Sequence, residues 1–358
     1  MIKVLVVDDS ALVRKLFGRV LASESDFEVA FARNGIEALQ RLDDFCPTVI
    51  TLDVQMPQMD GLECLDRIMV ERPCPVIMVS AVTAAGANAT LEALRLGAVD
   101  FVPKPAGAVS LRIDEFAPTL VGKIRSAAGA RIKNTARLRE RVRHKARGQV
   151  VPDVPSRRPL RASGNGVVVV GTSTGGPSAL EALLTALPAS FPWPIVVAQH
   201  MPAGFTAALA KRLDDLCAVR VIEVLRPTVV EPGCAYIGRG DADIIVVQRR
   251  AGLTVTSAPA DTGYPWHPST DRLVRSAMTH VAPSQVIGVL MTGMGNDGAE
   301  AMADLRARGG RTIAESNETA VIWGMPGELV KAGGADWIEP LHGISARLLT
   351  LVPNHAAH

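Results

Sequence analysis

With 358 residues, 48% hydrophobic and 21% charged, the chain has the composition of a globular protein and a length that one core rarely fills, so two domains are expected. No apolar run approaches the roughly eighteen residues of a membrane helix, MIKVLVVDDS is too short and too soon acidic for a leader, and five cysteines without a CxxC pair disfavour a disulfide framework or structural zinc, so a cytoplasmic protein without membrane insertion is expected. The net charge of +2 conceals three blocks: residues 1–120 carry 11 Lys+Arg against 17 Asp+Glu, residues 121–163 carry 13 against 2, and residues 164–358 carry 14 against 17.

In chain order, residues 1–118 alternate short β-branched runs with helical periodicity. Strands are expected at Ile2–Val7, Phe27–Phe31, Val49–Leu52, Val76–Val79 and Phe101–Val102. Amphipathic stretches lie between them at Ser10–Leu21, Gly35–Leu42, Gly61–Val70 and Asn88–Leu96. That alternation argues for a five-stranded parallel sheet covered by helices on both faces. In such sheets chemistry sits beyond the carboxyl ends of the strands. Asp8 and Asp9 follow the first strand, Asp53 the third, Ser80 the fourth and Lys104 the fifth. Three carboxylates at one edge call for a cation, and hard oxygen ligands suit Mg²⁺. A carboxylate can accept a phosphoryl group, with Lys104 and the metal neutralising its charge and Ser80 donating a hydrogen bond to it.

VLVVDDS, TLDVQMPQMDGLECL, VIMVSAVT and GAVDFVPKP together resemble the phosphoacceptor receiver domain of two-component response regulators, a flavodoxin-like fold. The resemblance implies Asp53 as phosphoacceptor, with Asp8, Asp9 and the main-chain carbonyl of Gln55 around Mg²⁺ and a sensor histidine kinase as phosphodonor. It also places Phe101 where the family keeps an aromatic that changes rotamer with Ser80.

The basic block coincides with SAAGA, VPDVPSRRP and RASGNG. Such Gly, Pro and Ser content reads as a linker rather than a folded nucleic-acid-binding module. Residues 1–122, 123–163 and 164–352 are the expected receiver, linker and second domain.

The second domain opens with GVVVVGTSTGGPSALEALLTAL: a buried strand, a glycine-rich turn and a helix from about Pro177. GTSTGG has neither the GxGxxG spacing of a dinucleotide site nor the GK[ST] of a phosphate loop. It does read as GxSxG from Gly171 to Gly175, which sets Ser173 on a turn at the amino end of a helix, where negative charge is favoured. Among seven histidines, His200 ends the strand-like PIVVAQH, whereas His144, His342, His355 and His358 are expected to be solvated and His280 to lie in the helical stretch Ser269–Val281. Asp297 follows the strand VIGVLM. Ser173, His200 and Asp297 thus fall beyond three strand ends of a doubly wound, mostly parallel α/β domain. Ser173 would be the nucleophile, His200 its base, and Asp297 the group that orients the imidazole. Backbone N–H groups near Thr174 and Met294 are candidates for an oxyanion hole. A rival order, Asp241 or Asp243 followed by His267, is less attractive because IGRGDADIIVV with LTVTS reads as an antiparallel hairpin with polar turn residues.

This half resembles the catalytic domain of the chemotaxis protein-glutamate methylesterases, through VVVVGTSTGGPSAL, FPWPIVVAQHMPAGFT, PGCAYIGRGD, HPSTDRLVRSA, VIGVLMTGMGNDGA and GMPGELVKAGGAD. The resemblance implies hydrolysis of glutamate methyl esters, and deamidation of glutamines, on methyl-accepting chemoreceptors, with no cofactor for the esterase step. It carries Ser173, His200 and Asp297 over as the triad and sets Thr174 and Met294 beside the oxyanion site. One position departs from the family: Trp266 stands where a histidine is usual, and His267 is left off the catalytic list. A receiver in front of a hydrolase implies control by phosphorylation, with the unphosphorylated receiver inhibiting. The alternatives are a phosphorylation-dependent regulator, commonly DNA-binding, or a scaffold without hydrolase activity. The acidic second half, with no helix-turn-helix pattern, argues against the former, and joint retention of Ser, His and Asp against the latter.

Overall fold

A computed structural model describes residues 1–104, 113–132 and 166–352, and the chain divides into two compact units, Met1–Pro152 and Asp153–His358. No helix among the described residues is long and apolar enough to cross a membrane.

In the first unit β1 (Ile2–Val7), β2 (Phe27–Ala32), β3 (Val49–Asp53), β4 (Val76–Ser80) and β5 (Asp100–Pro103) form a parallel sheet in the order β2-β1-β3-β4-β5. The central strands β3 and β4 are buried at every position, as apolar runs covered on both faces must be, while the edge strand β2 is largely half-exposed. The helices are α1 (Ala11–Ala22), α2 (Gly35–Phe45), α3 (Gly61–Glu71), α4 (Ala84–Leu96) and α5 (Ile113–Ala128). Ser10, Asn34, Asp60 and Thr83 cap the first four, each side-chain oxygen accepting an otherwise unpaired first-turn N–H. Helix α5 continues past residue 122 to Ala128, and the basic segment beyond Ile132 lies outside the described residues, as do His144, His355 and His358.

The second unit is built on seven parallel strands in the order β15-β14-β13-β6-β7-β10-β8. These are β6 (Val167–Thr172), β7 (Ile195–Gln199), β8 (Arg220–Val224), β10 (Cys234–Gly238), β13 (Val286–Leu290), β14 (Arg311–Glu315) and β15 (Trp337–Glu339). A separate antiparallel sheet joins β9 (Thr228–Val229), β11 (Ala242–Arg249) and β12 (Gly252–Pro259). Among the described residues the unit also has the α-helices α6 (Gly176–Thr185), α7 (Phe205–Leu216), α8 (Thr270–His280), α9 (Ala299–Ala307), α10 (Met325–Lys331) and α11 (Leu341–Leu351). Helix α8 fills the expected stretch, with Ser269 as its N-cap and Val281 as its C-cap. The chain leaves the central strand β6 for β7 on one side and returns through β13 on the other. This reversal places a topological switch point, where such sheets gather ligands, at the carboxyl ends of β13, β6 and β7.

Candidate active site

At the carboxyl edge of the receiver sheet, ligand atoms of Asp8, Asp9 and Asp53 lie within 4.8 Å of one another. Lys104 Nζ donates to Asp53 Oδ2 at 2.6 Å and stands 3.2 Å from Asp8 Oδ2. Asp8 Oδ2 is nevertheless buried and makes no geometrically sound hydrogen bond among the described residues. Burial, reinforced by the charge of Asp8 and opposed by Lys104, pushes the Asp53 carboxyl up to about 6. Three crowded carboxylates, partly neutralised by the single Lys104 ammonium, fit a hard divalent cation such as Mg²⁺.

Ser80 is fully buried, and its hydroxyl donates to the Gly86 carbonyl at 3.1 Å. The Phe101 side chain is buried as well. Lys123, which sequence reasoning passed over, donates to Asp100 Oδ1 at 2.8 Å and to the Phe101 carbonyl at 2.9 Å, with Nζ 5.4 Å from the centre of the Phe101 ring. Only its place in the basic block could have drawn notice.

In the second unit the register pairs Thr172 with Gln199, so the next residues, Ser173 and His200, leave neighbouring strand ends side by side. The Gln199 amide ties them, donating at 3.0 Å to both the Ser173 and the His200 carbonyls. On the other flank Ser173 N donates to the Thr292 carbonyl at 3.0 Å, and a Cβ built on Gly293 would stand 2.8 Å from Ser173 Cβ. The loop carrying Met294 therefore lies directly against the serine. Thr174 is buried, its carbonyl accepting from Thr292 Oγ1 at 2.9 Å. In this turn the positive φ falls on Gly175, at 77°, not on the serine as in a strained nucleophile elbow.

Asp297 reaches His200 across this floor: Oδ2 accepts from Nε2 at 2.7 Å. Its carboxylate also receives Thr270 N (2.6 Å), Asp271 N (3.0 Å) and Ser269 Oγ (3.0 Å), the amino end of α8. Burial alone would raise its pKa, but the His200 hydrogen bond and charge, with the two backbone donors, outweigh it and hold the carboxyl below the ordinary range. A neutral imidazole donating Nε2–H keeps its lone pair on Nδ1. Nδ1 is buried and has no hydrogen-bond partner among the described residues. The rim thus holds a hydroxyl, an imidazole hydrogen-bonded through Nε2 and an anchored carboxylate.

Asp243 was expected to be a polar turn residue. It is instead fully buried in β11, accepting from His267 Nδ1 (2.9 Å), Ser269 N (2.7 Å) and Arg272 (2.6 Å). With Asp261 N, which donates to the same carboxylate at 3.3 Å, its partners lie 18 to 29 residues onward, a separation that no local pattern discloses. Asp241, with φ 59°, does occupy the turn before β11. His280 and His342 are exposed, as expected of surface histidines.

Fold and rims together define a class: a response-regulator receiver in front of a parallel α/β domain of hydrolase type. The response regulator receiver domain family matches residues 4–113, and the CheB methylesterase family matches residues 168–348. A relative in Rhodopseudomonas palustris (strain BisB18), protein-glutamate methylesterase/protein-glutamine glutaminase 2, is 54% identical over 98% of this chain and 98% of its own length. Protein-glutamate methylesterase/protein-glutamine glutaminase 3 of Rhodospirillum rubrum is 51% identical, over 97% and 95% of the two chains. The crystal structure of the Thermotoga maritima CheB methylesterase catalytic domain superposes with a TM-score of 0.51 at 38% identity, covering 53% of this chain and 100% of its own. The chain belongs to the protein-glutamate methylesterase/protein-glutamine glutaminase family.

Proposed function

We propose that this protein hydrolyses glutamate γ-methyl esters, and deamidates glutamines, on methyl-accepting chemoreceptors through an acyl-enzyme on Ser173, under control of phosphorylation at Asp53. The reading takes residues 1–122 as receiver, 123–163 as linker and 164–352 as catalytic domain. The observation that carries it is the His200–Asp297 hydrogen bond, which leaves a buried basic nitrogen at the strand end beside Ser173.

Ser173 Oγ attacks the ester carbonyl carbon while its proton passes to His200 Nδ1. Asp297 holds the ring and stabilises the imidazolium. Backbone N–H groups near Thr174 and Met294 receive the oxyanion, each such donor contributing about 3–4 kcal/mol in serine enzymes. The tetrahedral intermediate expels methoxide, which takes the His200 proton and leaves as methanol. Water then attacks the acyl-enzyme, giving a proton to His200, which returns it to Ser173 Oγ as the bond to serine breaks and leaves a glutamate carboxylate on the receptor. A glutamine substrate follows the same path with ammonia as leaving group.

In the receiver, Asp53 accepts a phosphoryl group from a sensor histidine kinase. Asp8, Asp9, Asp53 and the Gln55 carbonyl would hold Mg²⁺, which when bound neutralises charge on the transferred group. Lys104 then faces a phosphoryl oxygen, and Ser80 leaves the Gly86 carbonyl to donate to another, with Phe101 following. The test is methanol release from methylated receptor membranes. Ser173→Ala should be slowed by about 10³-fold or more, and an alanine variant releasing methanol at an undiminished rate would refute the reading.

A further inference from the structure

The His200 imidazole has a neighbour on its face as well as at its edge. The Trp266 ring lies parallel to it, planes 6° apart and centroids 6.0 Å apart, an offset stack. Trp266 also packs on the loop carrying Met294 and Asp297. A Cβ on Gly295 would stand 2.7 Å from Trp266 Cζ2, and Gly295 has φ 86°, a conformation that favours glycine. One side chain therefore touches both the base and the loop that positions its carboxylate. Resting on the acyl-enzyme reading, we propose that Trp266 is a positioning residue for His200.

Two effects follow from the contact. Stacking restricts rotation of the imidazole, so that the ring cannot turn away from Asp297 without losing the indole face. The π face also attracts a cation, and His200 is a cation whenever it carries the Ser173 proton. The indole thus favours the imidazolium over the neutral ring, assisting the step in which His200 takes the Ser173 proton. The titratable groups around His200 are Asp297, in direct contact, and behind it Asp271, whose N–H donates to the same carboxylate and whose own carboxyl is raised by burial and by Asp297. Through Ser269 the network reaches the Asp243–His267–Arg272 cluster.

The experiment measures the rate of covalent labelling of the full chain by a fluorophosphonate across pH 5–9, with the adduct mapped by mass spectrometry. Trp266→Phe keeps an aromatic face, whereas Trp266→Leu keeps bulk without one. The leucine variant is expected to label about 3- to 30-fold more slowly, with a changed pH–rate profile. The phenylalanine variant should stay within about 3-fold, its profile unmoved. Trp266→Met carries the same comparison should the leucine variant not fold. A leucine variant with the wild-type rate and profile would overturn the proposal. So would equal slowing of leucine and phenylalanine variants with the pH–rate profile unmoved, since that result means packing alone. Ser173→Ala separates the two levels: loss of its adduct upholds the acyl-enzyme reading whatever Trp266 does, and retention of labelling removes both.

Discussion

Among the described residues Asp297 accepts four hydrogen bonds, of which one comes from His200. The other three fix the carboxylate on the end of α8, so the imidazole is oriented against a rigid anchor. Asp297→Asn preserves the shape but offers an amide where a carboxylate stabilised the imidazolium. It should lower kcat by about 10²- to 10⁴-fold with KM little changed, measured by methanol release. Asp53 behaves oppositely. Without divalent metal its carboxyl titrates near 6 in the folded chain against 3.8 for the ordinary group. It therefore favours the folded receiver below about pH 4 and loses that advantage as the pH rises through about 6. Asp53→Asn should raise receiver stability in EDTA by about 1–3 kcal/mol at pH 7.5 and by almost nothing at pH 4, read from thermal unfolding. Equal effects at both pH values would contradict the assignment of burial as the cause. Strand-end position made Ser173, His200 and Asp297 legible in the sequence. Which imidazole nitrogen faces which partner was not legible, because it depends on how α8 and the loop after β13 meet in space. The Asp243–His267 pair was weighed and set aside as turn chemistry for a related reason: a buried carboxylate at a strand start looks like a turn residue until its partners arrive from another element.

Among the elements, the short loop between β13 and α9 packs tightly against the serine. Gly293 lets it approach Ser173, since a Cβ there would stand 2.4 Å from Met325 Sδ and 2.8 Å from Ser173 Cβ. The thioether can move, but the serine backbone, fixed through Thr292, cannot do so freely. Gly293→Ala is expected to cost about 1–3 kcal/mol of stability and at least tenfold in methanol release, because small displacements of a nucleophile are amplified in rate. An alanine variant as active as wild type would show that the loop does not set the nucleophile. The parallel strands and most helices were readable because apolar runs of strand length alternate with amphipathic stretches. The antiparallel sheet was readable only as a hairpin: its third strand, β9, is two residues long and gives no periodic signal.

For the whole molecule, a switch and a hydrolase share one chain, and the account requires Asp53 chemistry to reach methanol release. Phosphorylated chain should release methanol faster than unphosphorylated chain. Ser80→Ala should accept phosphate yet show a smaller gain, since Ser80 must exchange the Gly86 carbonyl for the phosphoryl group. An unchanged gain would remove Ser80 from the switch. The order of the two domains was legible from motifs and charge blocks. The order of strands in the second sheet was not, because apolar runs do not say which neighbours they choose.

The most direct test of the central claim asks whether hydroxyl and imidazole act as one unit. Methanol release should be compared for wild type, Ser173→Ala, His200→Gln and the double variant on the same receptor membranes. The account predicts that each single change removes nearly all activity and that the double variant is no slower than Ser173→Ala alone. Losses that multiply would contradict it, because two residues contributing independently cannot be nucleophile and base of one proton transfer.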